Sequence, residues 1–267
     1  MSDRLQIYEE INNKLKEIDA GFCVKPANFL VAEYPQNFGL FELATRTCYD
    51  SHNKICQGSD LNLFERIMRK GHTAAVEFLP MMTVKAFTDR GVSHEIVRHR
   101  LCSFMQASTR YITYDTVVPF IMPWSLNPEG FLDFLMDYRG KHNTDYCLFY
   151  ESCATSSRLY KKRLENGQSA QEARGTLNNE TATTIWVKTN IREWLTILVL
   201  RSAPDAHPNF RIQACGLLKV ATQKMPFIFT EKVMAEQGFL KNIGWFEKEH
   251  DLVCDGDVYH IIPKVVG

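Results

Sequence analysis

The chain has 267 residues, 45% hydrophobic and 23% charged, a mixture that suits one large globular domain with a sizeable core. Its 31 Lys and Arg balance its 31 Asp and Glu, which argues against coating a nucleic acid or a membrane through bulk charge. There is no apolar run of about 18 residues, and the polar N-terminus lacks the apolar stretch of a secretory signal; both predict a soluble, intracellular, cytoplasmic protein.

In chain order, Leu5, Tyr8, Ile11, Leu15 and Ile18 recur at helical spacing and predict an N-terminal helix. Leu63, Phe64, Ile67 and Met68 predict a second over 61–69, stopping near Gly71. The run Met81–Phe87 is β-branched and aromatic enough to read as a strand. Ser93 is placed to cap a helix running through Ile96 and Val97 into Arg98 and His99. Residues 131–165 are helical in pattern, with a break marked by Gly140 and Asn143. Further helices are predicted over 168–177, 190–201 and 210–227, the last ending near Pro226. The fold class is α+β. Residues 231–267 carry no readable motif and are taken as a C-terminal extension of the single domain. The eight cysteines include no Cys-x-x-Cys pair, so free thiols and no metal site are expected.

Residues 98–111 read RHRLCSFMQASTRY, placing Arg98, Arg100, Ser108 and Arg110 in one short tract. Guanidinium forks and a hydroxyl suit phosphate oxygens. A solvated basic face is the bland alternative, but interleaved Leu101, Phe104, Met105 and Ala107 predict a part-buried segment whose arginines need anionic partners. His99, between two arginines, is expected to stay neutral. Ser108 has no evident paired base and is not read as a nucleophile. Downstream, Ile191, Trp194, Leu195 and Leu198 form an apolar stripe. Asn190 and Arg201, eleven positions apart, share a face of that helix, offset by about 20° and about 16 Å along the axis.

The arrangement R-H-R, seven residues, Ser-x-Arg-Tyr resembles the signature of flavin-dependent thymidylate synthases. Other pieces follow in the same order as in that family: ELATRTCYDS from Glu42, Gly71-His72 with Glu77, NGQSAQEARGTL ending at Leu177, Asn190-x-Arg192, Leu200-Arg201 and His207. The resemblance covers about residues 40–230 and implies a helix-rich fold with a small, mostly antiparallel sheet. It also implies C5 methylation of dUMP, with methylenetetrahydrofolate as carbon donor and FAD reduced by NADPH as hydride source, in a homotetramer with shared active sites. Arg201 would be catalytic, at the pyrimidine carbonyls. Glu95, Arg98, Gln106, Ser108, Arg110 and Arg174 would join it in holding the nucleotide, and His72, Glu77, Arg98, His99, Arg100, Asn190, Arg192 and His207 would contact FAD.

The chain departs from the family pattern in places. Met105-Gln106 stands where Asn-Glu is usual, Glu95 where Gln is usual, and Asn178 where Pro is usual. Around His207 the chain reads APDAHPNFRI, with two extra residues, Pro208, and Arg211 in place of Glu. The alternatives implied are another pyrimidine deoxynucleotide such as dCMP, C5 hydroxymethylation, or a non-catalytic flavin- or nucleotide-binding homologue.

Overall fold

The computed structural model describes residues 3–137 and 144–264. The chain begins with α1 (Asp3–Glu17), β1 (Phe22–Lys25), β2 (Asn28–Glu33), α2 (Gly39–Thr47) and α3 (Ser59–Arg69). A 3-10 turn over Thr73–Phe78 leads to β3 (Met82–Asp89), α4 (Arg90–Ile96), β4 (Ser103–Gln106) and β5 (Val118–Ile121). Helices α5 (Pro128–Met136), α6 (Asp145–Glu165) and the one-turn α7 (Ala170–Ala173) precede β6 (Ala182–Thr189). The chain then runs through α8 (Ile191–Ser202), α9 (Pro208–Lys224), α10 (Glu231–Glu236), α11 (Phe239–Glu249), β7 (His250–Asp255) and β8 (Val258–Pro263). The α+β, helix-rich class is as expected.

The six-stranded sheet has the order β4-β6-β3-β2-β8-β7, and every pairing is antiparallel. Period-two alternation puts Met82, Val84 and Ala86 of β3 on one face, beside Ile185 and Val187 of β6. Trp194, Ile197 and Leu198 of α8 and Leu217, Leu218 and Ala221 of α9 share the core with that face. Trp194 also donates from Nε1 to the Met82 carbonyl at 2.9 Å, fixing α8 against β3. A second core gathers α1, α5 and α6 around the parallel pair β1–β5, with Phe22, Phe120, Phe131 and Tyr160 at its centre.

Several local expectations are corrected. Ser93 does not cap the helix before the basic segment. Asp89 does, accepting from the Val92 N–H at 2.7 Å, because a carboxylate at the end of β3 meets the free N–H groups four residues earlier. The helix ends at Ile96, so Arg98 and His99 lie beyond it. Residues 168–177 yield only α7 and a 3-10 turn over Arg174–Thr176. A Ser169–Glu172 cap starts this element (Ser169 N–H to Glu172 Oε2, 2.9 Å), and Gly175 follows within a turn. The break at Gly140 and Asn143 falls outside the described residues.

The segment beyond residue 230 completes the sheet. β8 pairs with β2, and Phe239, Phe246 and Ile261 join the main core. Its hairpin closes through Gly256 at φ 58°, a backbone region that two-residue loops require and glycine adopts freely.

Candidate active site

Helix α8 begins at Asn190, whose side chain accepts from the Glu193 N–H at 2.9 Å, a standard N-cap. Its apolar stripe faces the core, leaving Asn190, Arg192, Glu193 and Arg201 outside it. Side chains on a helix tilt toward its N-terminus, so Arg201, in the last turn, reaches back along α8. There it meets the basic segment. Nε of Arg201 donates to His99 Nε2 at 3.0 Å, and Nη1 donates to Glu95 Oε2 at 2.6 Å. The guanidinium lies 5.1 Å from the centre of the Phe210 ring. Its side chain is 21% exposed, so one edge remains open. Two of its five N–H donors are committed and three are left for a ligand.

His99 is buried. Because Arg201 can only donate, His99 Nε2 must be the acceptor, and the ring proton belongs on Nδ1, which faces Glu193 Oε1 at 3.5 Å. Burial, and then the Arg201 charge, hold the imidazole below its ordinary pKa. Neutrality was expected from Arg98 and Arg100; the causes are desolvation and Arg201 instead. Nε2 is committed to Arg201 and Nδ1 faces Glu193, so both polar atoms of the His99 ring are directed at neighbouring side chains. Burial also raises the Glu193 carboxyl.

The rest of the basic segment is less buried than its apolar residues predicted. Arg98, Arg100 and Arg110 are exposed, as are Leu101 and Met105. The reason is position: β4 is an edge strand, so one side of the tract has no neighbour. Thr189 Oγ1 donates to the Leu101 carbonyl at 2.8 Å and pins the turn to β6. Arg98, Arg100 and Arg174 have no carboxylate partner among the described residues. Exposed guanidinium forks of this kind suit phosphate oxygens.

Arg110 is tied to α7, the helical turn that precedes Arg174. Arg110 Nε donates to Gln171 Oε1 at 2.7 Å, three residues before Arg174. Ser108 Oγ accepts from the Arg110 N–H at 3.3 Å, which leaves its own O–H free to donate. No acid or histidine bonds Ser108 among the described residues. Gln106 is mostly spent within the fold, its amide nitrogen donating to Ser93 Oγ at 2.9 Å and Thr183 Oγ1 at 3.3 Å. Only its carbonyl oxygen is available to a nucleotide.

At the opposite end of α8, Arg192 Nη1 pairs with Glu77 Oε1 at 2.6 Å, both exposed. This brings Glu77, Asn190 and Arg192 to one place, with His72 exposed at the head of the 3-10 turn that carries Glu77. His207 is exposed at the N-cap of α9 and makes no capping bond. Pro208 occupies the first helical turn, where the missing N–H costs nothing. Arg211 turns away to α11, its guanidinium 3.5 Å from the centre of the Trp245 ring. Glu193 and Phe210 were not anticipated as parts of the site, although Glu193 lies in the first turn of a helix already singled out.

The family described as thymidylate synthase complementing protein matches residues 29–227. A flavin-dependent thymidylate synthase of Geobacter sulfurreducens is 27% identical over 209 residues, covering 76% of this chain and 84% of the relative. One from Corynebacterium efficiens is 30% identical over 198 residues, covering 71% and 77%. A crystal structure of a UMP/dUMP methylase, PolB from Streptomyces cacaoi bound with 5-Br UMP, shares the fold with a TM-score of 0.59 and 19% identity, covering 81% of this chain and 97% of that one. The family match spans the tract of free guanidiniums and the whole of α8, and with it the chain belongs to the flavin-dependent thymidylate synthase family, a family of methyl-transferring enzymes.

Proposed function

We propose that the protein methylates C5 of dUMP, with methylenetetrahydrofolate as carbon donor and NADPH as the source of reducing equivalents through FAD. The observation that carries this reading is Arg201, held half-buried by Glu95 and His99 with three donors to spare. A guanidinium fixed in advance beside a pyrimidine stabilises negative charge as it develops on the ring, without reorganising at the moment of reaction. Ser108, Arg110 and Arg174 hold the nucleotide phosphate, and Arg98 joins them at the nucleotide or lies with Arg100 along the cofactor phosphates. Asn190, Arg192, Glu77 and His72, at the far end of α8, hold the remainder of the cofactor, with His207 a further contact. FAD, when bound, supplies the hydride that completes the methyl group.

A homotetramer with shared sites fits the apolar side chains left open around the basic segment, Leu101, Met105 and Tyr111, each more than 70% exposed. Among the described residues no helix is long and apolar enough to cross a membrane.

Glu95 favours a second reading. A carboxylate beside Arg201 is an acceptor at the nucleobase, suited to the exocyclic amino group of a cytosine nucleotide. The test incubates flavin-loaded protein with methylenetetrahydrofolate, NADPH and either dUMP or dCMP, and weighs the products by mass spectrometry. The dUMP reading predicts dTMP. Methylated or hydroxymethylated dCMP with no dTMP would replace it, and NADPH oxidation with neither product would reject both.

A further inference from the structure

A cleft of about 260 Å³ lies between α2 and α3, away from Arg201, and its lining is strongly one-signed. Arg46, Lys54, Arg66 and Lys70 line it, together with Thr45 and Tyr49, and no carboxylate does. Arg46 is buried and neutralised, with Nε and Nη2 at 2.7 and 2.6 Å from Glu42 Oε1. Lys54, Arg66 and Lys70 are exposed and have no acidic partner among the described residues. Three unpaired cations around one space repel each other unless an anion joins them.

Thr45 supplies an independent sign. A helical threonine commonly satisfies its hydroxyl on the carbonyl four residues back. Thr47 does so, donating to the Leu43 carbonyl at 2.9 Å. Thr45, one turn face away and only 6% exposed, has a buried hydroxyl with no hydrogen-bond partner. Tyr49, 67% exposed, adds an aromatic ring to the same lining.

The cleft borders a residue already placed in the site. Lys70 is followed by Gly71, at φ 72°, and then His72, whose N–H donates to the carbonyl of the lining residue Ile67 at 3.2 Å. A ligand with a flat ring at His72 and a flexible charged arm therefore has a cationic receptacle next to it. We propose that this cleft binds the oxyanion tail of a co-substrate. The inference rests on the function proposed above, whose two co-substrates both carry such tails: the ribose phosphate of NADPH and the glutamate chain of the folate.

Calorimetry on the flavin-loaded enzyme, with 2′,5′-ADP and a tri-γ-glutamate peptide as separate probes, tests the site without turnover. One probe should bind the wild type, and the double variant Arg66→Ala/Lys70→Ala should bind it at least tenfold more weakly, with circular dichroism unchanged. Thr45→Val should weaken it by a smaller factor. In turnover, the same double variant should raise KM for NADPH but not NADH if the phosphate docks there. It should raise KM for polyglutamyl but not monoglutamyl folate if the glutamate chain does. KM for dUMP should stay constant. Absence of binding by either probe, or binding that the double variant leaves intact, overturns the proposal. Charge-dependent binding in a protein that makes no product would reject the proposed reaction and leave the anion site standing.

Discussion

Arg201 and the pair Arg98 and Arg100 lie on neighbouring stretches of the same surface and are held in opposite ways. Arg201 is half-buried, bonded to Glu95 and His99 and close to Phe210. Arg98 and Arg100 are exposed and have no acidic partner among the described residues. The difference follows from where each backbone sits. Arg201, in the last turn of α8, lies over Phe210 of α9 and reaches Glu95 of α4 and the buried His99, whereas Arg98 and Arg100 point out from the segment leading to an edge strand. A tied guanidinium has lost its freedom before a ligand arrives and can act on charge that appears only during reaction. An untied one has its donors free for a ligand, and the function proposed above uses it for binding.

The largest effect should come from untying the first. Arg201→Ala is expected to lower kcat by about 10²–10³-fold, with circular dichroism and flavin absorbance unchanged. Arg201→Lys should recover little, because an ammonium cannot serve Glu95 and His99 and still present a planar fork. Turnover at the wild-type rate in either variant breaks the contrast.

Removing the untied pair should weaken binding and spare the fold. Arg100→Ala is expected to raise the Kd for FAD, and Arg98→Ala the Kd for FAD or for dUMP, about tenfold or more, the equivalent of one charge-assisted hydrogen bond at roughly 1.5–3 kcal/mol. The melting temperature of the flavin-free protein should not move, since no partner is lost within the chain. A large drop would mean that these arginines serve the fold.

A pH titration sharpens the comparison further. His99 must be neutral to accept from Arg201, and its pKa lies below the ordinary 6.5 because of burial and the Arg201 charge. The unfolded chain therefore binds this proton more readily than the folded one. The stabilising contribution is complete above pH 6.5 and is lost as pH falls through the depressed folded value. The rate kcat/KM should stay flat from mildly alkaline pH through 6.5 and fall only as pH drops through the depressed folded value. A rise on acidification would contradict the assigned tautomer.

The smallest effect belongs to the exposed pair at the other end of α8. Glu77→Gln breaks the 2.6 Å contact with Arg192, both side chains being about half exposed. It should change the free energy of unfolding by less than about 1 kcal/mol, as read from chemical denaturation.

Much of the candidate site is legible in residue order. The Asn190 cap and apolar stripe of α8 depend only on neighbours three and four positions away, and the helix formed as the spacing predicted. The tract Arg98–Arg110 was identifiable for the same reason: its donors are close in sequence. Glu193 and Phe210 were not anticipated, because each matters through one contact, to His99 or to Arg201, and neither contact follows from local periodicity. The hairpin of β7 and β8 was missed because its value lies in pairing with β2, more than 200 residues earlier.

Local sequence determined helices such as α1, α3 and α8, the strand β3 and the order of the candidate anion-binding residues, since capping and periodicity act over a few positions. Tertiary structure alone decided which arginine is tied and which is free. That choice depends on Glu95 and His99 meeting Arg201 across more than 100 residues, and on β4 lying at the edge of the sheet. Burial and partner supply are properties of the packed whole, and the same guanidinium is fixed by neighbours in one place and left with open N–H donors in the other.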